Sequence, residues 1–288
     1  MIKDDHMRVD FRREQTWWDA KAPIEERDLE DEPINRALRW REIERHLAGV
    51  ETILEVGAGT GVFSIPLAQR GLAVTHLDLS PAMLAMAREK TGDLATLHLV
   101  EGNAVELPFA DRSFDLVLNL DGAISFCGRE AERALRESCR VAKGKLIVTV
   151  SSRAWLLPVT VLASLHVSGR FLPAVYAMLE RGEWHQEQFP ENHLLSKGCT
   201  QDYLGPLQAF LPSEVRGIIE QAGMTPLCVR GLGSLAAHCE KSVIETLVKD
   251  ESLLQEFLDL CERYDADILP DGPGTRQRAG LLAVAVRR

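Results

Sequence analysis

The sequence predicts an α/β fold: a doubly wound, mostly parallel seven-stranded sheet with a helical cap and insertions. Three observations carry this prediction. Strand and helix signals alternate regularly from Ile53 to Val150, three glycines fall within five residues after the first strand, and two further strand-like runs lie towards the end of the chain.

The first strand, Thr52 to Val56, is short, partly β-branched and bounded by glycine. Gly57, Gly59 and Gly61 follow it. After Thr60 the chain reads as helix, with Phe63, Leu67 and Ala68 on one side and Gly71 as a stop. "LAVTHLDLS", Leu72 to Ser80, is the second strand, and Ser80 with Pro81 starts a helix that carries Met83, Leu84 and Ala87. "LATLHLVEGNA" supplies the third strand and Phe114 to Leu120 the fourth. Glu130 to Val141 is a helix and Gly144 to Ser151 the fifth strand. From Ser152 to Ala209 helices and loops replace the alternation. "LPSEVRGIIEQAG" then gives a capped amphipathic helix ending at Gly223, and "TPLCVRGL" and "AGLLAVAVRR" the last two strands. Phe11 to Leu47 is helical and holds Trp17, Trp18 and Trp40. It reads equally as a cap over a nucleotide site or as a covering of the sheet. The organisation is a helical cap over residues 1–50 and an α/β domain over 51–288. Within the latter lie a substrate-binding insertion, 152–212, and a helical insertion, 234–270.

Composition limits the function classes. With 45% hydrophobic and 26% charged residues the chain has ordinary globular character, and its net charge of -10 disfavours nucleic acid as a partner. The opening "MIKDDHMRVDFRRE" lacks the apolar core of a signal peptide. The longest apolar run, Ala154 to Val167, is too short to span a bilayer and contains Pro158. The expectation is a soluble cytoplasmic protein with no membrane segment. Six cysteines without CxxC spacing and eight histidines without HxxxH or HExxH spacing suit reduced thiols and no metal site.

The glycine turn lies where open α/β sheets bind nucleotides. A dinucleotide fingerprint needs a third small residue, yet Val62 stands at that position. Glu55, immediately before the turn, would repel a pyrophosphate and attract an ammonium group. Asp78 lies about 20 residues beyond the turn, at the spacing where the dinucleotide rule also expects an acid that accepts ribose hydroxyls.

"LEVGAGTG" resembles the first motif of class I S-adenosylmethionine-dependent methyltransferases, and "HLDLSPAML", "VEGNAVELPF" and "FDLVLNLDGAISFC" fall in order where that family's later motifs fall. The resemblance covers Ile53 to Ser151. It implies a Rossmann-like fold with S-adenosyl-L-methionine as cofactor. Glu55 and the turn Gly57, Ala58, Gly59 and Gly61 would seat the methionine end, Asp78 the ribose, and Leu79 and Met83 the adenine face. Asn103 stands where the family usually has aspartate; its carbonyl would accept from the adenine amino group while the Ala104 N–H donates to a ring nitrogen. Asn119 and Leu120 would face the cofactor's sulfur, although Asn119 also suits a strand-end cap.

Asp121, just past the fourth strand, is the candidate general base; its other reading is a turn residue paired with Gly122. Cys127 reads as a pocket-lining residue with no partner base. Trp18 from the cap and His193 and Tyr203 from the insertion complete the expected contacts to a small, partly apolar methyl acceptor. Two other readings stand beside this one. A protein that binds the cofactor without turnover would keep Glu55 and Asp78, and a nicotinamide oxidoreductase would keep Asp78 but leave Val62 and Glu55 unexplained.

Overall fold

A computed structural model describes residues 5–25, 32–185, 188, 205–268 and 280–287. The strands are β1 (Thr52–Val56), β2 (Ala73–Asp78), β3 (Leu97–Glu101), β4 (Phe114–Asn119), β5 (Ala142–Val150), β6 (Glu183–Trp184), β7 (Leu207–Gln208), β8 (Thr225–Gly231) and β9 (Leu281–Val286). Seven of them form one sheet in the order β3-β2-β1-β4-β5-β9-β8; β1 to β5 run parallel and β9 is antiparallel to both its neighbours. The chain reverses its direction of growth between β3 and β4, so the carboxyl ends of β1 and β4 flank a crevice. β6 and β7 pair as a separate two-stranded ribbon inside the stretch expected to hold only helices and loops.

Alternation along the strands sends side chains to two cores. On one face Leu54, Val56, Val117 and Val148 meet Leu135 and Cys139 of α5 (Ala131–Val141) and Val215 and Ile219 of α8 (Pro212–Gln221). On the other, Ile53, Leu116, Leu118 and Ile147 meet Ile34, Leu38 and Ile43 of α2 (Glu32–His46), Leu67 of α3 (Ser64–Gln69), Ile244 of α9 (Lys241–Leu247) and Leu258 of α10 (Glu251–Arg263). α3 begins later than the sequence suggests, because the three positive-φ glycines hold the chain in turns as far as Phe63.

The two readings of the N-terminal helices divide between them. α2 covers the sheet, whereas α1 (Phe11–Lys21) lies over the crevice and is tied to the start of α4 (Pro81–Thr91). Gln15 Nε2 donates to the Leu79 carbonyl at 2.8 Å and to Glu101 at 3.1 Å. Asp19 Oδ1 accepts from the Ser80 hydroxyl at 2.5 Å and from the Ala82 N–H at 3.1 Å. Ser80 also caps α4, accepting from the Met83 N–H at 3.2 Å, with Pro81 in the first turn. The long helices α6 (Arg153–Ser168) and α7 (Pro173–Arg181) follow β5 and pack behind the crevice wall; Met178 of α7 and Leu207 of β7 meet Phe126.

Because Asp19 joins α1 to the start of α4, Asp19→Ala should loosen α1 and the first turn of α4. Hydrogen exchange should quicken for α1 amides, corresponding to about 1 kcal/mol of lost capping, while β1 and β4 keep their protection.

Candidate functional site

β1 ends on Glu55 and Val56, both buried, and the chain turns through Gly57, Gly59 and Gly61 with φ of 67°, 55° and 93°. The glycines differ in purpose. A Cβ on Gly57 would sit 2.5 Å from the Ala123 Cβ, so this glycine lets the segment after β4 approach the turn. A Cβ on Gly59 would meet nothing within 4 Å, because it would project into open space. At Gly61 the obstacle is the Ile65 side chain of α3, at 2.5 Å. Ala58 is held by its N–H on the Leu77 carbonyl at 3.0 Å.

Asp78, at the end of β2, braces this turn. Its Oδ2 accepts from the Gly59 N–H at 2.7 Å and its Oδ1 from the Ser80 N–H at 2.8 Å. Burial pushes its carboxyl up to about 6, against the pull of those two donors. The Leu79 N–H donates to it as well, and a carboxylate offers about four acceptor positions, so room remains for a ligand's hydroxyl. Leu79, Met83, Gly102, Asn103 and Ala104 continue the lining from there. Asn103 Oδ1, expected to accept from adenine, already accepts from the Val105 N–H at 3.1 Å, which closes the turn and leaves one lone pair.

Two expected contacts turn away from the cleft. Asn119 is fully buried and donates from Nδ2 to Ser138 Oγ on α5 at 3.0 Å; Leu120 is packed in the core beneath α2. Alternation along β4 and past its end takes both side chains into the protein. Asp121 follows in a left-handed conformation, φ 57°, with its N–H on Thr149 Oγ1 at 3.0 Å, and it does line the cleft. Its carboxylate is paired with the guanidinium of Arg39, a wholly buried residue of α2.

The opposite wall is apolar. Trp18 stands edge-on to Phe126 with ring centroids 5.5 Å apart, and Phe11, Ala123 and Cys127 lie beside them. Cys127 Sγ donates to the Ala123 carbonyl at 3.3 Å, and burial pushes its thiol up to about 12, which removes it as a nucleophile. The cleft holds about 740 Å³ including the solvent at its mouth. Glu14 and Glu25 line it as well, so its ionisable lining is acidic throughout. Within the described residues, segment 152–212 supports this wall from behind and reaches no part of the lining. His193 and Tyr203 lie outside the described residues.

Glu55 sits beneath the turn, 3% exposed. Ser64 hydrogen-bonds to it through both its hydroxyl and its backbone, yet burial and the nearby carboxylates of Asp121 and Asp78 push it up to about 8. Its Oε2 has no hydrogen-bond partner. A buried acceptor left open beside a glycine turn whose Gly59 faces empty space fits a cationic ligand group.

This geometry defines a nucleotide-binding α/β domain with acids at the ends of its first two strands. Residues 54–148 match the model of a methyltransferase domain. The demethylmenaquinone methyltransferase of Renibacterium salmoninarum is 37% identical over 150 residues, covering 49% of this chain and 60% of that protein. The ubiquinone/menaquinone biosynthesis C-methyltransferase UbiE of Vibrio cholerae is 36% identical over 122 residues, covering 38% and 45%. The chain spans about half the length of the curated relatives it matches. Among solved structures, the CcbJ methyltransferase of Streptomyces caelestis superposes with a TM-score of 0.55 at 16% identity, covering 96% of this chain and 99% of that one. An S-adenosylmethionine-dependent methyltransferase of Mesorhizobium loti gives 0.55 at 18% identity, covering 88% and 100%. Residues 54–148 thus carry a methyltransferase domain, and the chain shares the Rossmann-like fold of these two structures.

Among the described residues, no helix is long and apolar enough to cross a membrane.

A thiol raised to about 12 should resist alkylation. At pH 8 native Cys127 should stay unlabelled by iodoacetamide while the denatured chain labels fully, read by peptide mass spectrometry.

Proposed function

We propose that this chain transfers a methyl group from S-adenosylmethionine to a small, partly apolar aromatic acceptor. The observation that carries the reading is the junction of two unlike surfaces in one cleft. The glycines after β1 and the acid at the end of β2 meet an aromatic wall of Trp18 and Phe126. The quinone-modifying names of the relatives support an acceptor built on a planar ring.

The cofactor supplies a methyl group on a positively charged sulfur, an electrophile that already carries its leaving group. The protein's task is therefore alignment and, for a protic acceptor, removal of a proton. Glu55 would take the ammonium group of the methionine end through its open Oε2, and Asp78 the two ribose hydroxyls. Leu79 and Met83 would flank the adenine, with the Ala104 N–H directed to its ring. Trp18, Phe126 and Cys127 would hold the acceptor's flat face, excluding water from the line of attack. Fixing both partners in this way can contribute about 7 to 11 kcal/mol. Asp121, aimed into the cleft from the bend after β4, would receive the acceptor's proton, with Arg39 setting the carboxylate's direction. His193 and Tyr203 remain candidates for acceptor contacts. Residues 1–50 serve as cap and sheet cover, and 152–212 as the acceptor-side insertion.

Asp78→Ala should weaken cofactor binding by roughly ten- to a hundredfold, since hydrogen bonds to a charged group contribute about 1.5 to 3 kcal/mol each. Calorimetry on the folded variant measures this, and unchanged affinity would remove Asp78 from the site. Asp121→Asn should keep cofactor affinity and lower single-turnover methyl transfer by roughly 10²- to 10⁴-fold, the usual worth of general base catalysis. The assay follows S-adenosylhomocysteine formation with a hydroquinone or naphthol acceptor; equal rates would end the base assignment. Cofactor binding without any turnover across such acceptors would favour a binding-only protein instead.

A further inference from the structure

The helical hairpin of α6 and α7, joined through Gly169 to Leu172, turns an apolar stripe to solvent. In α6 the usual order is inverted. Thr160, Ala163 and Ser164 are buried, whereas Ala154, Pro158, Leu162 and Leu165, three or four residues apart along the helix, are exposed. Leu162 is 68% exposed, and Phe171 of the connection with Tyr176 and Leu179 of α7 are each more than half exposed. Exposed apolar side chains gathered in this way mark a contact surface.

Hydrogen bonds account for the polar residues inside. Ser164 Oγ donates to the Arg170 carbonyl at 2.7 Å and accepts from the Leu172 N–H at 2.6 Å, which closes the bend between the helices. Thr160 Oγ1 donates to the Leu156 carbonyl at 2.8 Å. Ala163 and Ala174, both small, let α6 and α7 meet closely. The hairpin is closed from within, and its outer stripe faces water.

Charge indicates what covers that stripe. In a chain with 43 acidic residues and a net charge of -10, the stretch from Ala154 to Leu179 contains no Asp, Glu or Lys. Its one arginine, Arg170, is exposed beside Phe171 at the bend. A face cleared of carboxylates and tipped by a guanidinium complements an anionic partner. Its exposed polar residues are His166, Arg170 and Tyr176, too few for the hydrogen-bonded rim of a protein interface. A second copy meeting the same face about a two-fold axis would set Arg170 against its own charge. Tyr176 suits the boundary of a bilayer, where its ring is apolar on one side and its hydroxyl wet on the other.

We propose that the α6–α7 hairpin rests on the surface of an anionic lipid bilayer, with Leu162, Leu165 and Phe171 entering the headgroup boundary and Arg170 meeting lipid phosphate. Lying on a bilayer needs no spanning helix, and α6, with 16 residues and an internal Pro158, is too short to be one. On the inner side of the same helix Leu156 and Leu157 pack on the cluster that holds Phe126. The docked α6 therefore stands between the lipid and the aromatic wall of the cleft.

The test is cosedimentation of the full chain with vesicles of phosphatidylcholine alone and of equal parts phosphatidylcholine and phosphatidylglycerol. Binding to the mixed vesicles is expected, weakened by high salt, with clearly lower affinity for phosphatidylcholine alone. Leu162→Asp should lower affinity for the mixed vesicles about tenfold or more, whereas Leu260→Asp, at an exposed position of α10, should leave it unchanged. Arg170→Glu should cut the preference for mixed vesicles by about tenfold. Circular dichroism checks that each variant is folded. A wild-type chain that sediments with neither vesicle overturns the proposal whether or not the variants fold, and so does undiminished binding by a folded Leu162→Asp. A wild-type dimer in light scattering that Leu162→Asp dissociates, without vesicle binding, would give the face to a second copy instead.

Discussion

The carboxylate of Asp78 is the bond on which the site depends. One of its oxygens holds the Gly59 N–H and the other the Ser80 N–H, so a single side chain joins the turn after β1 to the start of α4. Gly59 is thereby kept in the left-handed conformation that leaves the cleft open above it, and Ser80 is placed to cap α4 and to meet Asp19 of the lid helix. The shape of the cleft therefore follows from one charged group that is itself nearly buried. Its burial is tolerated because the backbone donors of Gly59, Leu79 and Ser80 face it, the usual condition for a carboxylate removed from water.

The fold was legible because its signals are local and repeated. Strand runs such as "LIVTV" and "LLAVAV" announce burial on both faces, and glycine, serine and proline mark the turns between them. The last two strand runs were also readable, but not that β9 inserts antiparallel between β5 and β8. The ribbon of Glu183–Trp184 with Leu207–Gln208 was not, because two-residue strands carry no periodic pattern.

The site was legible only where it is built from contiguous motifs. Glu55, the glycine turn and Asp78 announce themselves by spacing. Arg39 does not, being one of four arginines in α2 beside Arg36, Arg41 and Arg45; its partner Asp121 lies 82 residues away. Phe126 and Glu14 were missed for the same reason, since only tertiary packing brings α1 over the segment after β4. Asn119 and Leu120 are the converse case. Motif position alone placed them at the ligand, whereas strand alternation, available in the sequence itself, turns both side chains into the protein.

The lid helix has a kinetic consequence. α1 is pinned by Gln15 and Asp19 to the same backbone, Leu79 to Ala82, that borders the adenine side of the cleft. A ligand that enters beneath this helix passes while those bonds are open. Four hydrogen bonds of ordinary net worth make that opening cost about 2 to 4 kcal/mol, so only roughly one molecule in thirty to one in a thousand would stand open at any instant. Exchange of spent cofactor for fresh would then be paced by the breathing of one eleven-residue helix and not by diffusion. A cell would set the throughput of such a protein at its N-terminus, far along the chain from the residues that meet the methyl group.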